Sequence, residues 1–275
     1  MEQFSVLMSL YIKEKAEYFH ECMESLLRQT VMPTEIVIVL DGPISCEVEA
    51  ELKKYENENS GLIKRVPLEH NVGLGLALRE GILHCSNEII ARMDTDDIAR
   101  EDRFEKQLVF LLNNDVDVCS SSILEFSESV DKIIGERVVP EKHDEIIKYQ
   151  KQRSAFNHMA VMYRKSKVLQ AGNYENCPLM EDDMLWVRMI IAGAKCGNIR
   201  EPLVFARTNL SMIARRGGIS YYKKYKNAKK QIYNTGFISF FDYKYTCLIQ
   251  FFVCLCPKKI RKFIFFKILH KNKGE

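Results

Sequence analysis

The chain has 275 residues, of which 47% are hydrophobic and 28% charged. That length suffices for one large domain with a substantial core, and the composition excludes a disordered chain, a collagen and a simple coiled coil. The net charge is only +3, but residues 215–275 hold 15 basic and 2 acidic residues, a net +13, against a net −10 over residues 1–214. This asymmetry indicates that the C-terminal region meets an anionic partner.

The sequence also bears on the location of the protein. Nine cysteines are scattered without a CxxC pair, which favours free thiols in a reducing compartment. The N-terminus shows no signal-peptide pattern. The longest apolar run, Cys247–Cys256, is far shorter than the roughly 20 residues of a membrane span. We therefore expect a cytoplasmic protein that does not cross a membrane but is able to lie on one.

The first hundred residues alternate strand and helix patterns. Apolar or β-branched runs predict strands, and apolar residues at helical spacing predict helices. The predicted elements are strand Phe4–Met8, helix Ala16–Arg28, strand Glu35–Leu40, helix Glu47–Asn57, strand Leu62–Leu68, helix Gly73–Leu83 and strand Glu88–Met93. Strands that alternate with helices predict βαβ units, a mostly parallel sheet and an α/β fold.

After residue 100 the pattern becomes less regular. The predicted elements are helix Asp102–Asn113, strands Val116–Phe126 and Ile133–Val139, an apolar segment Met159–Tyr163, helix Glu181–Ala192 and a short strand Pro202–Ala206. We expect one domain over residues 1–214 and a basic, amphipathic helical region over residues 215–275.

The C-terminal region mixes lysines with bulky apolar residues. Five lysines lie in the helical stretch Tyr221–Tyr233, and Thr246–Leu255 and Lys258–Lys267 add apolar blocks and further cations. A helix in the plane of an anionic membrane fits this pattern. Nucleic acid is the alternative anionic partner. The aromatic residues argue against it, because they lie among aliphatic residues in apolar segments rather than as isolated platforms for base stacking. Packing of the apolar blocks on the main domain is the third alternative.

Three carboxylates follow the predicted strand Glu88–Met93 directly, in the order Asp94, Thr95, Asp96, Asp97. Ligands of open α/β sheets bind at strand ends, and carboxylates this close repel one another unless a cation lies between them. Oxygen ligands suit Mg²⁺ or Mn²⁺. These residues predict a divalent-cation site, with a solvated acidic turn as the alternative.

A second acidic cluster, Glu181, Asp182 and Asp183, opens a predicted helix. Acidic residues in a first helical turn commonly interact with the helix dipole, and this is the simpler interpretation. The functional alternative is a general base, which needs a metal-free carboxylate near a nucleophilic hydroxyl group.

Several single residues are weaker candidates. Asp41 ends the strand before an Asp-Gly-Pro turn, and Asn71 precedes a helix in a glycine-containing loop. His158, taken alone, is more often structural. Arg215 and Arg216 precede two glycines, a combination that suits a diphosphate, although a solvated turn explains it as well.

Nine short segments in a fixed order carry a resemblance over residues 3–220. They are Phe4–Ser9, Ser25–Thr30, Glu35–Pro43, Asn71–Leu74, Ala91–Asp97, Asn157–His158, Val161–Ser166, Glu181–Asp182 and Arg215–Gly218. The set resembles the family two glycosyltransferases of the GT-A fold, especially bacterial enzymes that build capsule, exopolysaccharide or O-antigen repeat units. A GT-A fold implies a Rossmann-like, mostly parallel mixed sheet flanked by helices, here with a C-terminal helical appendage.

The resemblance implies an inverting, metal-dependent transferase with a UDP-sugar donor. Asp41 and Asn71 would contact the donor nucleotide. Asp96 would bind Mn²⁺ or Mg²⁺ directly, and Asp94 would contact the ribose or the metal. Asp182 would be the base that deprotonates the acceptor, with Glu181 as the contender.

The same resemblance implies that the enzyme transfers a hexose, Gal or Glc, to a HexNAc-diphosphate-undecaprenol acceptor. The transfer would take place at the cytoplasmic face of a bacterial membrane. Arg215, Arg216 and His158 would contact the diphosphate or the acceptor. The implied partners are the UDP-sugar, the polyprenyl-diphosphate-linked sugar and the membrane surface, without nucleic acid. The alternatives are a nucleotidyltransferase, which should show a Gly/Arg/Lys-rich loop after the first strand, and a non-enzymatic membrane- or polyanion-binding protein.

Overall fold

The computed structural model describes residues 2–208, 217–257 and 260–261. Within them, nine strands form one sheet. The strands are β1 (Phe4–Leu10), β2 (Glu35–Leu40), β3 (Ile63–Pro67), β4 (Ile89–Arg92), β5 (Ile98–Ala99), β6 (Val118–Phe126), β7 (Ile133–Arg137), β8 (Met162–Arg164) and β9 (Cys196–Arg207).

Helices cover both faces of this sheet. They are α1 (Ala16–Leu27), α2 (Cys46–Glu58), α3 (Leu74–His84), α4 (Arg103–Asn113), α5 (His143–Gln150), α6 (Lys165–Gln170), α7 (Glu181–Ile191), α8 (Gly218–Asn234) and α9 (Phe240–Leu255), with a 3₁₀ turn at His158–Ala160.

The strand order is β3-β2-β1-β4-β8-β6-β9-β5, and β7 pairs with β6. The first four strands along the chain run parallel, as the alternating pattern predicts. β8 lies antiparallel between β4 and β6, whereas β6 and β9 are parallel. The sheet is therefore mixed, and its parallel half brings the carboxyl ends of β1, β2 and β4 to one edge.

The apolar run of β2 reflects burial on both sides of the sheet. Ile36 and Ile38 point into one core cluster, which includes side chains of α1, α2 and α4. Val37 and Val39 point into the other, beneath α3 and α7. Two cores thus hold the same strand in place, which fixes the position of the residue that follows it.

The strand predicted at Pro202–Ala206 is only the second half of β9, which has twelve residues. The prediction was too short because Pro202 has no amide hydrogen and interrupts the strand pattern. The pairing of β9 with β6 shifts register on both sides of Ser122, which accommodates the proline. The short helix α5 was also missed, since Ile146 is its one buried apolar residue.

α8 and α9 stand where the sequence predicts a C-terminal helical region. They join α7 in a small third core, made by Cys177, Met180, Met184, Val187, Ala228, Ile232, Ile238, Tyr243 and Cys247. No helix in the described ranges is long and apolar enough to cross a bilayer. The predicted segment Lys258–Lys267 lies largely outside the described residues.

Gly81 in α3 faces the sheet where a side chain has no room. A Cβ there would lie 2.4 Å from Leu7 Cδ1 and 2.7 Å from Val39 Cγ2. We expect Gly81→Val to lower the free energy of unfolding by about 1–3 kcal/mol, because buried neighbours must be displaced. Urea unfolding measures this, and Leu83→Val, at an exposed position of the same helix, should cost less than about 0.5 kcal/mol. An unchanged midpoint for Gly81→Val would contradict this packing.

Candidate active site

The candidate site lies at the edge where parallel strands end. Asp41 follows β2 directly, and Asp94 comes two residues after the end of β4. β1 lies between these two strands and is parallel to both, so the two aspartates come to the same edge. The first turn of α7, which carries Glu181 and Asp182, approaches the same region.

Asp41 and Asn71 are brought into direct contact. Asp41 Oδ2 accepts hydrogen bonds from Asn71 Nδ2 at 2.9 Å and from the Gly73 amide at 3.1 Å, and Oδ1 accepts one from the Val72 amide at 2.6 Å. A Cβ at Gly42 would lie only 2.7 Å from the Asn71 amide nitrogen, so glycine permits this close approach of the two loops. The Asp41 carboxylate thus shapes the loop that leads into α3.

The aspartates after β4 form a compact oxygen cluster. One carboxylate oxygen each from Asp94, Asp96 and Asp97 lies within 4.8 Å of the others. Burial raises the pKa of Asp96 to about 7, and repulsion from Asp94 adds to the shift. Burial, followed by repulsion from Asp96 and Asp94, raises the pKa of Asp97 as well. An all-oxygen donor set under mutual repulsion fits a divalent cation such as Mg²⁺ or Mn²⁺.

Two acidic residues at or beside this cluster, Asp97 and Glu14, were not named as individual site residues from the sequence. Asp97 is nearly fully buried, and its Oδ2 has no hydrogen-bond partner among the described residues. Glu14, in the loop after β1, accepts a hydrogen bond from the Thr95 hydroxyl group, and burial raises its pKa. Asp97 was visible in the acidic run, whereas nothing in the sequence connects Glu14 to residues eighty positions later.

Two arginines donate hydrogen bonds to the acidic loop, residues 94–97. Arg92, almost completely buried, donates a hydrogen bond to the carboxylate of Asp94. Arg207 donates Nε–H to the Asp96 carbonyl oxygen at 3.0 Å, and its amide donates to Asp97 Oδ1 at 2.7 Å. Its guanidinium carbon lies 3.9 Å from the ring centre of Tyr18. These contacts fix the loop's course and partly offset its charge.

Two neighbouring carboxylates in the acidic cluster at the start of α7, those of Asp182 and Asp183, differ in their hydrogen bonding. Asp183 accepts a hydrogen bond from Gln150 Nε2 at 2.7 Å. No side chain in the described part of the protein donates to Asp182. Burial raises the pKa of Asp182 to about 7, with repulsion from Asp183 and Glu181 as further causes. Asp182 is therefore the carboxylate best suited to accept a proton near neutral pH.

Glu181 comes close to the start of α3. A Cβ added to Gly75 would lie 2.8 Å from Glu181 Cβ, so glycine permits the close approach of the two helices. Glu181 lines a cleft of about 250 Å³ with residues 72–76 and 175–179. Burial raises its pKa. The loop that contains Asn71 and the first turn of α7 thus face one cleft.

His158 is linked to this region through an aromatic cluster. Its Nε2 lies 2.7 Å from the hydroxyl oxygen of Tyr174, and its ring packs edge-on against Trp186. Burial and the nearby charge of Arg92 hold the pKa of His158 well below its usual range. A neutral imidazole offers hydrogen bonds to a ligand but no charge. Arg215 and Arg216, the other predicted diphosphate contacts, lie outside the described residues.

The chain matches the family model of Glycosyl transferase family 2 over residues 5–169. It is 38% identical to the amylovoran biosynthesis glycosyltransferase AmsE of Erwinia amylovora, over 96% of this chain and 98% of that protein. It is 36% identical to the UDP-Gal:alpha-D-GlcNAc-diphosphoundecaprenol beta-1,3-galactosyltransferase of Escherichia coli, over 98% of this chain and 97% of that protein. The protein is a glycosyltransferase and belongs to glycosyl transferase family 2.

Solved structures agree with this family at the level of the fold. The mannosyltransferase PcManGT from Pyrobaculum calidifontis, solved in complex with GDP-Man and Mn²⁺, aligns with a TM-score of 0.63 at 13% identity, over 91% of this chain and 69% of that one. The predicted GT-A-like α/β fold is therefore confirmed, and so is the predicted family.

We expect Arg207→Lys to weaken Mn²⁺ binding by about tenfold, because lysine lacks the planar group that both stacks on Tyr18 and bonds to the Asp96 carbonyl oxygen. Isothermal titration with MnCl₂ measures this. Arg200→Lys, an exposed change in the same strand, is the matched control and should bind Mn²⁺ like the wild type. Equal affinities for all three proteins would show that Arg207 does not position the acidic loop.

Proposed function

We propose that the protein is an inverting, metal-dependent hexosyltransferase that moves a hexose from a UDP-sugar to a sugar carried on a polyprenyl diphosphate. The observation that carries this proposal is the placement of two different acidic sites at one edge of the sheet. The carboxylate cluster of Asp94, Asp96 and Asp97 suits a cation. Asp182 on α7 is separate from that cluster, and a pKa of about 7 suits a base.

The proposed reaction needs a single displacement. The acceptor hydroxyl oxygen forms a bond to the anomeric carbon while the bond from that carbon to the diphosphate oxygen breaks. The hydroxyl proton passes to Asp182, and the electron pair of the broken bond leaves with UDP. Because attack comes from the face opposite the leaving group, the anomeric configuration inverts and no covalent sugar–enzyme intermediate is needed.

The acidic loop gives this reaction its charge balance. Asp96, with Asp94 and Asp97 in reach, would hold Mn²⁺ or Mg²⁺, which would supply positive charge to stabilise the departing diphosphate. Arg92 orients Asp94 through its hydrogen bond. The complex of PcManGT with a nucleotide sugar and Mn²⁺ supports a metal in proteins of this fold.

Asp41 and Asn71 are proposed to receive the nucleotide. Asp41 Oδ1 accepts one hydrogen bond, from the Val72 amide, and a carboxylate oxygen has room for a second. That free position suits the imide N–H of uracil or a ribose hydroxyl group. The loop that Asp41 organises would place these contacts beside the cleft lined by Glu181.

The acceptor is proposed by similarity. The Escherichia coli relative is named for an acceptor in which GlcNAc is linked to diphosphoundecaprenol. The match extends over nearly the full length of both chains. We propose a HexNAc-diphosphate-undecaprenol acceptor, transfer of Gal or Glc, and action at the cytoplasmic face of a membrane in surface polysaccharide synthesis. His158, Arg215 and Arg216 are proposed to contact the diphosphate or the acceptor sugar.

Asp182→Asn tests the proposed base. We expect it to lower kcat by at least about a hundredfold while Mn²⁺-dependent UDP binding stays unchanged, since the donor site is separate. Radiolabelled UDP-Gal and UDP-Glc with a synthetic HexNAc-diphosphate-lipid measure transfer, and titration calorimetry measures UDP binding. Asp183→Asn is the matched control, because Asp183 is held by Gln150, and should lose less than about tenfold. Full activity in Asp182→Asn would refute this role, and no product with any UDP-hexose would refute the acceptor.

The pH dependence gives an independent test of the same residue. Asp182 must be deprotonated to act as a base, and its pKa is raised to about 7. We therefore expect kcat/KM to fall about tenfold for each pH unit below 7. Asp183→Asn removes a charge that raises this pKa, so its acidic limb should move to lower pH. A wild-type limb near pH 4, or one that Asp183→Asn does not move, would contradict the assignment.

A further inference from the structure

The outer side of α9 carries a continuous row of large apolar side chains that no described residue buries. Phe241 is 82% exposed, and the other five are between 45% and 58% exposed. The row consists of Phe241, Tyr245, Leu248, Ile249, Phe252 and Leu255, and is called the α9 face below. Its spacing of three and four residues places it along one side of the helix. An apolar stripe of this size on a surface marks an interaction site.

The opposite side of α9 already serves the fold. Tyr243, Thr246, Cys247 and Cys254 are buried, and Tyr243 and Cys247 pack in the core shared with α7 and α8. The α9 face is therefore not required to hold the helix on the protein. Its apolar residues are additional to those that form the third core.

A cleft beside α9 is strongly basic. It measures about 540 Å³ and is lined by Lys223, Lys226, Asn227, Lys230, Tyr243 and Lys244; we call it the lysine cleft. Asp242 is the single acidic residue of range 217–257. Its carboxylate accepts hydrogen bonds from the Ser239 amide and hydroxyl groups at the start of α9, so its charge is already engaged.

We propose that the α9 face and the lysine cleft together dock the protein on a bilayer that contains anionic phospholipid. α9 lies in the plane of the interface, with its apolar row in the outer acyl region and the lysines over lipid phosphates. Charge complementarity favours this occupant: an anionic surface attracts the lysine cleft and repels residues 1–214, whose net charge is −10, which fixes the orientation.

The role of this docking rests on the proposed function, in which the acceptor is linked to a membrane lipid. α7 contributes Met184 and Val187 to the third core, which it shares with α8 and α9, and the first turn of α7 carries Asp182. Docking through α9 would therefore place the proposed base one helix layer from the membrane. A sugar linked through a diphosphate to a membrane lipid would approach the protein from that same side.

Sedimentation with vesicles tests the apolar row. We expect the wild type to bind phosphatidylglycerol-containing vesicles, and the triple variant Phe241→Glu, Leu248→Glu, Phe252→Glu to lose at least about tenfold in affinity. The matched control variant also introduces three glutamates, at the exposed leucines Leu83, Leu112 and Leu169, and should bind vesicles like the wild type. Wild-type protein that stays in the supernatant, or an α9 variant that binds equally well, would overturn the proposal.

The lysine cleft has its own test. We expect the triple variant Lys223→Gln, Lys226→Gln, Lys230→Gln to bind phosphatidylglycerol vesicles about a hundredfold more weakly than the wild type. Binding to pure phosphatidylcholine vesicles, which we expect to be weaker in the wild type, should not change. The control with the same loss of charge is Lys53→Gln, Lys54→Gln, Lys132→Gln, at exposed positions. Equal losses in the two variants would mean that overall charge, not this cleft, determines binding.

Two further readouts separate the outcomes. Mn²⁺-dependent UDP binding should be the same in the wild type and all four variants, so its absence from the wild type would refute the proposed function and leave docking intact. Sedimentation velocity and thermal unfolding identify another occupant. If the wild type is a dimer, the α9 variant is a monomer and vesicle binding is unchanged, the α9 face binds a second copy and membrane docking is overturned. If the α9 variant instead melts several degrees lower with vesicle binding unchanged, residues 262–275 cover the face, which also overturns membrane docking.

Discussion

Repulsion among the carboxylates that follow β4 is the constraint on which the rest of the site depends. Asp94, Asp96 and Asp97 are crowded and partly or wholly buried, an arrangement that costs free energy unless positive charge lies nearby. Arg92 contributes such charge from within the sheet, and Arg207 does so from the end of β9. Both are fixed by the fold, so the cluster is held in place before any ligand arrives. In the proposed function, a cation bound there would add the remaining positive charge and would also meet the diphosphate of the donor.

Much of this arrangement follows from short-range features of the sequence. The β-branched run of β2 and the acidic run after β4 each identify a strand end, and parallel strands bring such ends together. Asp41, Asn71, Asp94 and Asp96 could therefore be proposed from local patterns. The order of the elements predicted an α/β fold, and the resemblance carried by the short sequence segments indicated the family and the GT-A-like fold, which the comparisons and the sheet topology confirm.

The remaining parts depend on contacts between residues far apart in the chain. Arg207 meets the acidic loop from 111 positions away, and Glu14 meets Thr95 from 81 positions away. No periodicity or motif encodes such pairs. The resemblance had already favoured Asp182 as the base, but the hydrogen bond by which Gln150 holds Asp183 joins residues 33 positions apart. The neutral state of His158 likewise follows from its burial beside Arg92, which its neighbours in sequence do not reveal.

The division of charge along the chain would give the two proposed substrates different modes of recognition. A nucleotide diphosphate and the carboxylate cluster are both anionic, so their encounter within the acidic domain requires a bridging cation. An acceptor embedded in an anionic surface, as proposed, would meet the lysines of α8 instead, without a metal. α7 joins the two regions, since Glu181 in its first turn lies close to Gly75 at the start of α3 and its later turns share the third core with α8 and α9. One rigid helix would thus set the distance between a donor held through metal and an acceptor held at a membrane, with the proposed base between them.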